Sequence, residues 1–116
     1  MKAMQHFING KFQDASDGQT FEKKDPTNNQ TIARVARGTL QDIDAAVQAA
    51  KNALQGDWGR MTVEKRVAML HAVADGITRR FDEFVAAEEA DTGQPHHVIA
   101  HAFVPRGAAN FKIFAD

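Results

Sequence analysis

Glu89-Ala-Asp-Thr-Gly-Gln-Pro95, followed by Pro105-Arg-Gly-Ala-Ala-Asn-Phe111, is the part of this chain whose reading decides the fold. The first stretch closes a helix. Gly93 suits the left-handed position just past a helix end, and Pro95 prevents continuation. The second stretch predicts a new helix beginning near Pro105, whose fixed φ suits a first turn. Its apolar residues are Ala108, Ala109, Phe111, Phe114 and Ala115.

Upstream, Val67, Leu70, Ala74, Ile77, Phe81, Phe84 and Val85 form an apolar stripe at helical spacing, with Thr62 as its cap. A single helix running to Asp91 is roughly 45 Å long at about 1.5 Å per residue. Gly76 inside it lowers helix propensity. An earlier helix begins at Thr39, with Asp42 and Asp44 near its positive end. Ile43, Val47, Ala50 and Leu54 lie on one face, and Gly56 with Asp57-Trp58-Gly59 ends it. Before that, residues 5–38 carry strand and turn signals. Asn9-Gly10 predicts a two-residue hairpin turn between His6-Phe-Ile8 and Lys11-Phe-Gln13. Asp17-Gly18 and Asn28-Asn29 punctuate Thr20–Lys24 and Thr31–Ala36, and Pro26 disfavours a central strand at its position. The expected class is α+β: a small antiparallel β-structure of three or four strands over 1–38, then three helices over 39–116, forming one structural unit.

The chain has 116 residues, 43% apolar and 25% charged, with net charge -1. This balance excludes strong electrostatic attraction to nucleic acid or anionic membrane. No apolar run approaches the roughly 18 residues a bilayer span needs. Met1-Lys-Ala-Met-Gln-His lacks the apolar stretch of a secretory signal, and the chain is read as cytoplasmic. Zero cysteine excludes disulfides and thiol nucleophiles within this polypeptide. The long apolar stripe exceeds what two short Ala-rich helices can cover. Some of it should stay exposed unless a second copy or a further domain covers it.

In order, His6-Phe-Ile-Asn-Gly-Lys11, Asp14-Ala-Ser-Asp-Gly18, Thr20-Phe-Glu22, Asp25-Pro26, Asp44-Ala-Ala-Val47, Trp58-Gly-Arg-Met-Thr62 and Val73-Ala-Asp-Gly-Ile77 lead to the two opening stretches. Together they resemble the amino-terminal part of NAD(P)-dependent aldehyde dehydrogenases, closest to the branch that oxidises 2-hydroxymuconic semialdehyde. His96, His97 and Phe103 depart from that branch's pattern. The resemblance implies an incomplete part of an α/β dehydrogenase fold, with 39–116 packing on a dinucleotide-binding domain outside this chain. It implies a parent that uses NAD to oxidise a semialdehyde to a carboxylate through a cysteine thiohemiacetal. The parent is expected to be a homo-oligomer. The implied partner of this chain is the remainder of the dehydrogenase or another copy of itself, and neither nucleic acid nor membrane. The chain alone is expected to be inactive and not to bind NAD. It has no cysteine, no G-x-G-x-x-G and no P-loop pattern.

Three places could carry chemistry. Glu88, Glu89 and Asp91 crowd a helix C-terminus, where carbonyls lack intrahelical partners. Carboxylate with free carbonyls suits a hard cation. The resemblance implies a monovalent cation held by Asp91 and the carbonyls of Lys23 and Lys24, with the lysine side chains pointing away. The alternative is that Asp91 pairs with a lysine or with backbone amides after Thr92. His96, His97 and His101 invite a zinc reading, with His97 and His101 at i, i+4, but no carboxylate or cysteine completes a ligand set. A solvated loop is the expected state there. Trp58 reads as packing at a helix turn, and Lys65-Arg66 and Arg79-Arg80 as solvated charge.

A second reading is a non-catalytic module that self-associates through its long apolar helix. A discrete, cooperatively melting dimer would favour it.

Overall fold

The computed structural model describes residues 2–116. They divide into two compact units, Met1–Arg60 and Met61–Asp116. The strands end at Ala36 and the helices begin at Leu40, so the first helix belongs with the strands.

In the first unit, β1 (Lys2–Met4), β5 (Thr31–Ala36) and β4 (Thr20–Lys24) form one sheet in the order β1-β5-β4, and β2 (His6–Ile8) pairs with β3 (Lys11–Gln13) separately. The hairpin is the predicted one. Asn9 and Gly10 take φ of 52° and 75°, the positive values that a two-residue turn needs. Phe7 opposes Phe12, their ring centroids 4.9 Å apart. β4 and β5 are antiparallel, as expected, but β1 joins β5 in parallel. Periodicity within a strand carries no information about a partner so distant in sequence. As the central strand, β5 buries Ala33 and Ala36.

Helix α1 (Leu40–Gln55) begins with a complete capping box: Thr39 accepts from the Asp42 amide, and the Asp42 side chain accepts from the Thr39 amide. Its apolar face has the predicted spacing but is uncovered, with Ile43, Val47 and Leu54 all exposed. The short helix α2 (Asp57–Arg60) follows. There Gly59 passes so close to Leu54 that an added Cβ would overlap the Leu54 carbonyl oxygen.

The second unit contains α3 (Val63–Arg79), α4 (Phe81–Thr92), α5 (His96–Val98), a π-helical segment (Ile99–Phe103) and α6 (Val104–Ala115). Thr62 caps α3, and Gly93 ends α4 at φ 66°. The single helix predicted through residues 62–91 is broken at Arg80, which leaves helical geometry at φ -104°, ψ 28°. Gly76 and Thr78 weaken the turn before it, since the Thr78 hydroxyl donates to the Ala74 carbonyl. Arg80 then holds Glu83 in the first turn of α4.

The stretch ahead of the last helix also differs from expectation. α6 begins at Val104, beside Pro105 as predicted, but the histidine stretch before it is helical and not a loop. Pro105 cannot donate and would crowd a regular preceding turn. The chain widens there, the Val104 amide donating to the Ile99 carbonyl in a π-type bond. This wide turn sits over the unit's apolar cluster of Val85, Ile99 and Val104, bordered by Ile77, Phe81 and Ala100. The α3–α4 stripe is partly covered, as expected: Ala74 and Val85 are buried, while Phe84 is 41% exposed. No helix among the described residues is long and apolar enough to cross a membrane.

Candidate functional site

Lys23 and Lys24 end β4, beside a register shift against β5. The Lys23 ammonium, expected to point away, folds back and donates to the Lys24 carbonyl at 3.3 Å. One carbonyl assigned to a cation thus accepts from the protein's own ammonium. Just beyond, Asp25 organises the turn to β5. Its carboxylate accepts from the Thr27 hydroxyl at 2.7 Å and the Thr27 amide at 2.8 Å. These donors, the hydroxyl foremost, hold its pKa below the ordinary carboxylate value.

Asp91 lies in the last turn of α4, in the second unit. Two carbonyls of that helix end have donors: the Thr92 hydroxyl reaches Glu88 O at 2.7 Å, and the Gly93 amide reaches Glu89 O at 2.9 Å. The Glu89 side chain contacts His96 Nδ1 at 3.1 Å. His101 Nδ1 lies 2.8 Å from the His97 carbonyl. His96, His97 and His101 are exposed, and no three acidic or imidazole groups among the described residues converge as metal ligands. Trp58 is half-buried between Asp57 and Gly59.

The most densely bonded carboxylate is Asp42, whose long-range partner the sequence does not reveal. It is 5% exposed and accepts from the Ser16 amide at 3.1 Å and the Thr39 amide at 3.0 Å. The Thr39 amide foremost keeps its pKa low. It ties the turn after β3 to the start of α1 across 26 residues. A second polar bridge, Asp75 to Lys112 at 3.1 Å, links α3 to α6. Lys112 lowers the Asp75 pKa by hydrogen bonding first and charge second.

The starts of α1 and α3 are already occupied by the chain's own side chains. The amides that open α1 face the carboxylate of Asp42, and the α3 cap is filled by Thr62 beside Glu64. An anion at either end would meet an acid instead of free donors. Nor does the chain contain a cysteine to attack an aldehyde. The starts of α1 and α3 are capped by side chains, while the apolar face of α1 is left open.

The chain has well-defined relatives. The aldehyde dehydrogenase family matches residues 12–116. A 2-hydroxymuconic semialdehyde dehydrogenase of Pseudomonas sp. (strain CF600) is 56% identical over 116 residues, all of this chain and 24% of the relative. One from Pseudomonas putida is 45% identical over 122 residues, again covering all of this chain and 24% of the relative. An aldehyde dehydrogenase from Bacillus cereus, solved as an NAD+ complex, superposes with a TM-score of 0.95 at 33% identity, over 98% of this chain and 23% of that one. The chain therefore spans about a quarter of the length of the relatives it matches. With the superposition covering 98% of the chain and the family matching residues 12–116, the chain belongs to the aldehyde dehydrogenase family.

Proposed function

We propose that this chain is the amino-terminal part of an NAD-dependent aldehyde dehydrogenase that oxidises a semialdehyde of the 2-hydroxymuconic type to a carboxylate in the cytoplasm. The observation that carries this reading is the 56% identity to the Pseudomonas sp. enzyme along the whole chain. In this reading the catalytic groups and the NAD site belong to the remainder of the dehydrogenase. Residues 39–116 support its dinucleotide-binding domain, and the complete enzyme is a homo-oligomer. The uncovered faces of α1 and α6, with Leu54 61% and Phe114 84% exposed, favour a role completed by further protein surface. A monovalent cation held by Asp91 with the carbonyls of Lys23 and Lys24 is a subsidiary proposal. Asp91→Ala would then abolish stabilisation of the complete enzyme by potassium, and an unchanged potassium response removes the cation from the proposal.

A chimera tests the main reading. This chain replaces the matching segment of the Pseudomonas sp. enzyme, and NADH formation from 2-hydroxymuconic semialdehyde is measured. The chimera should retain activity, while the 116-residue chain alone should show none. The chain alone should also bind NAD no more tightly than about 100 μM, roughly -5.5 kcal/mol. A chimera that assembles like the parent enzyme and yet fails to oxidise the semialdehyde overturns the substrate assignment. Turnover by the chain alone, free of contaminating enzyme, overturns the division of labour.

A further inference from the structure

The chain has five asparagines, and they differ in the state of the backbone amide that follows each. The amide after Asn28 donates to the Asp25 carbonyl at 2.8 Å, and the amide after Asn29 donates to Asn28 Oδ1 at 2.9 Å. Those after Asn52 and Asn110 lie inside α1 and α6, where the helix ladder takes them. Asn9 is the exception. With Gly10 it sits exposed at the tip of the hairpin, where the ladder ends at the Ile8–Lys11 pair. No hydrogen bond among the described residues engages the Asn9 side chain or the Gly10 amide. A Cβ added at Gly10 would meet nothing within 4 Å, so nothing crowds the turn. The two Asp-Gly pairs, open to the same chemistry in principle, are closed by structure. The Gly18 amide donates to the Ala15 carbonyl at 2.8 Å, and Gly76 lies inside α3.

We propose that Asn9 is a site of spontaneous deamidation that releases the β2–β3 hairpin from α1. The Gly10 nitrogen gives up its proton to base and bonds to Asn9 Cγ. The bond from Cγ to the side-chain nitrogen breaks, and that nitrogen leaves as ammonia. Water then opens the resulting succinimide. Attack at Cγ leaves an aspartate on the original backbone. Attack at the Asn9 backbone carbonyl carbon leaves an isoaspartyl link that runs through the side chain. In sum, water is consumed, ammonia is released, and nothing is oxidised or reduced. Glycine favours the step because it has no side chain to obstruct the approach of its nitrogen.

The structure also gives the consequence. The isoaspartyl link lengthens a two-residue turn by a methylene, and that turn sets the register that places Phe7 opposite Phe12. Both products carry a new carboxylate. Asn9 and Gly10 line an open groove with Ala46, Ala49, Ala50 and Ala53 of α1, so the charge appears beside an apolar helix face. The inference does not depend on which aldehyde the enzyme oxidises.

The test incubates the folded full chain in mildly alkaline buffer and follows each asparagine by peptide mapping and mass spectrometry. Asn9 should convert at least about tenfold faster than Asn28, Asn29, Asn52 or Asn110. The rate should fall as pH is lowered, because the attacking amide must lose its proton. The Ala46 and Ala50 amide resonances should shift as conversion proceeds. Asn9→Gly is the control: Gly-Gly suits the same turn and has no side-chain amide, so its resonances should hold steady. If Asn9 stays intact in the folded chain while the denatured chain converts, the turn protects the site and the proposal fails. It fails equally if all five asparagines convert at similar rates. Conversion at Asn9 with unmoved Ala46 and Ala50 resonances overturns the release of the hairpin.

Discussion

In residues 2–60 the buried positions are Ala15, Ala33, Ala36 and Asp42, whereas in residues 61–116 they are Ala74, Val85, Ile99, Val104 and Ala108. The first set holds three small side chains and a carboxylate. The second includes three branched aliphatic residues in mutual contact. The strand unit thus takes its definition from satisfied polar groups, the Asp25 turn and the Asp42 hub, and from the positive-φ turn at Asn9-Gly10. The helical unit takes more of its definition from apolar contact around the π-helical turn. The same family scaffold therefore offers two kinds of weak point, and different substitutions should expose them.

Ile99→Ala should have the largest effect. Ile99 is fully buried, and removing its branched chain leaves a cavity against Val85 and Val104. A loss of about 3 kcal/mol is expected. It is read as reduced hydrogen-exchange protection in α4 and α6. A loss below about 1 kcal/mol would show that the apolar cluster does not hold the helical unit and would erase the contrast.

Thr39→Ala should act at a middling level. It removes the hydroxyl that accepts from the Asp42 amide, at an expected cost of about 1 kcal/mol. Circular dichroism during chemical denaturation measures it, and Thr39→Ser should restore most of the loss. A larger loss than Ile99→Ala would reverse the ranking of the two units.

Acid should produce the smallest and most local effect. The Asp25 pKa is depressed in the folded chain from its ordinary value of 3.8. The turn's contribution is therefore complete above the unfolded value and is lost as pH falls through the lower folded one. Amide signals of Thr27 and Gln30 should hold steady until the pH drops below about 4. Asp25→Ala should loosen the same turn at neutral pH. Early loss of these signals, near pH 5, would mean that the Thr27 donors do not hold the carboxylate.

Several of these features were legible without coordinates because they depend on adjacent residues. Asn9-Gly10 specifies its hairpin by tolerance of positive φ, Thr39 and Thr62 reach amides within their own first turns, and Gly93 accepts a left-handed conformation. The candidate cation site was legible only as a list of donors. Sequence shows an acid at a helix end and two lysine carbonyls, but not that Lys23 folds onto Lys24 or that Thr92 and Gly93 take up neighbouring carbonyls.

The amino-acid order alone determined the helix spacing, the turn positions, the absence of a thiol and the ordered motifs that mark the family. Those are properties of neighbours along the chain, or of composition. Tertiary structure decided the parallel β1–β5 pair, the break at Arg80, the π-helical turn before Pro105 and the reach of Asp42 to Ser16. It also decided which apolar stripes are covered, leaving the α1 face open and closing Val85, Ile99 and Val104 on one another. Each of these results from competition among distant groups for the same space or the same hydrogen-bonding atom, and local propensity does not contain the outcome.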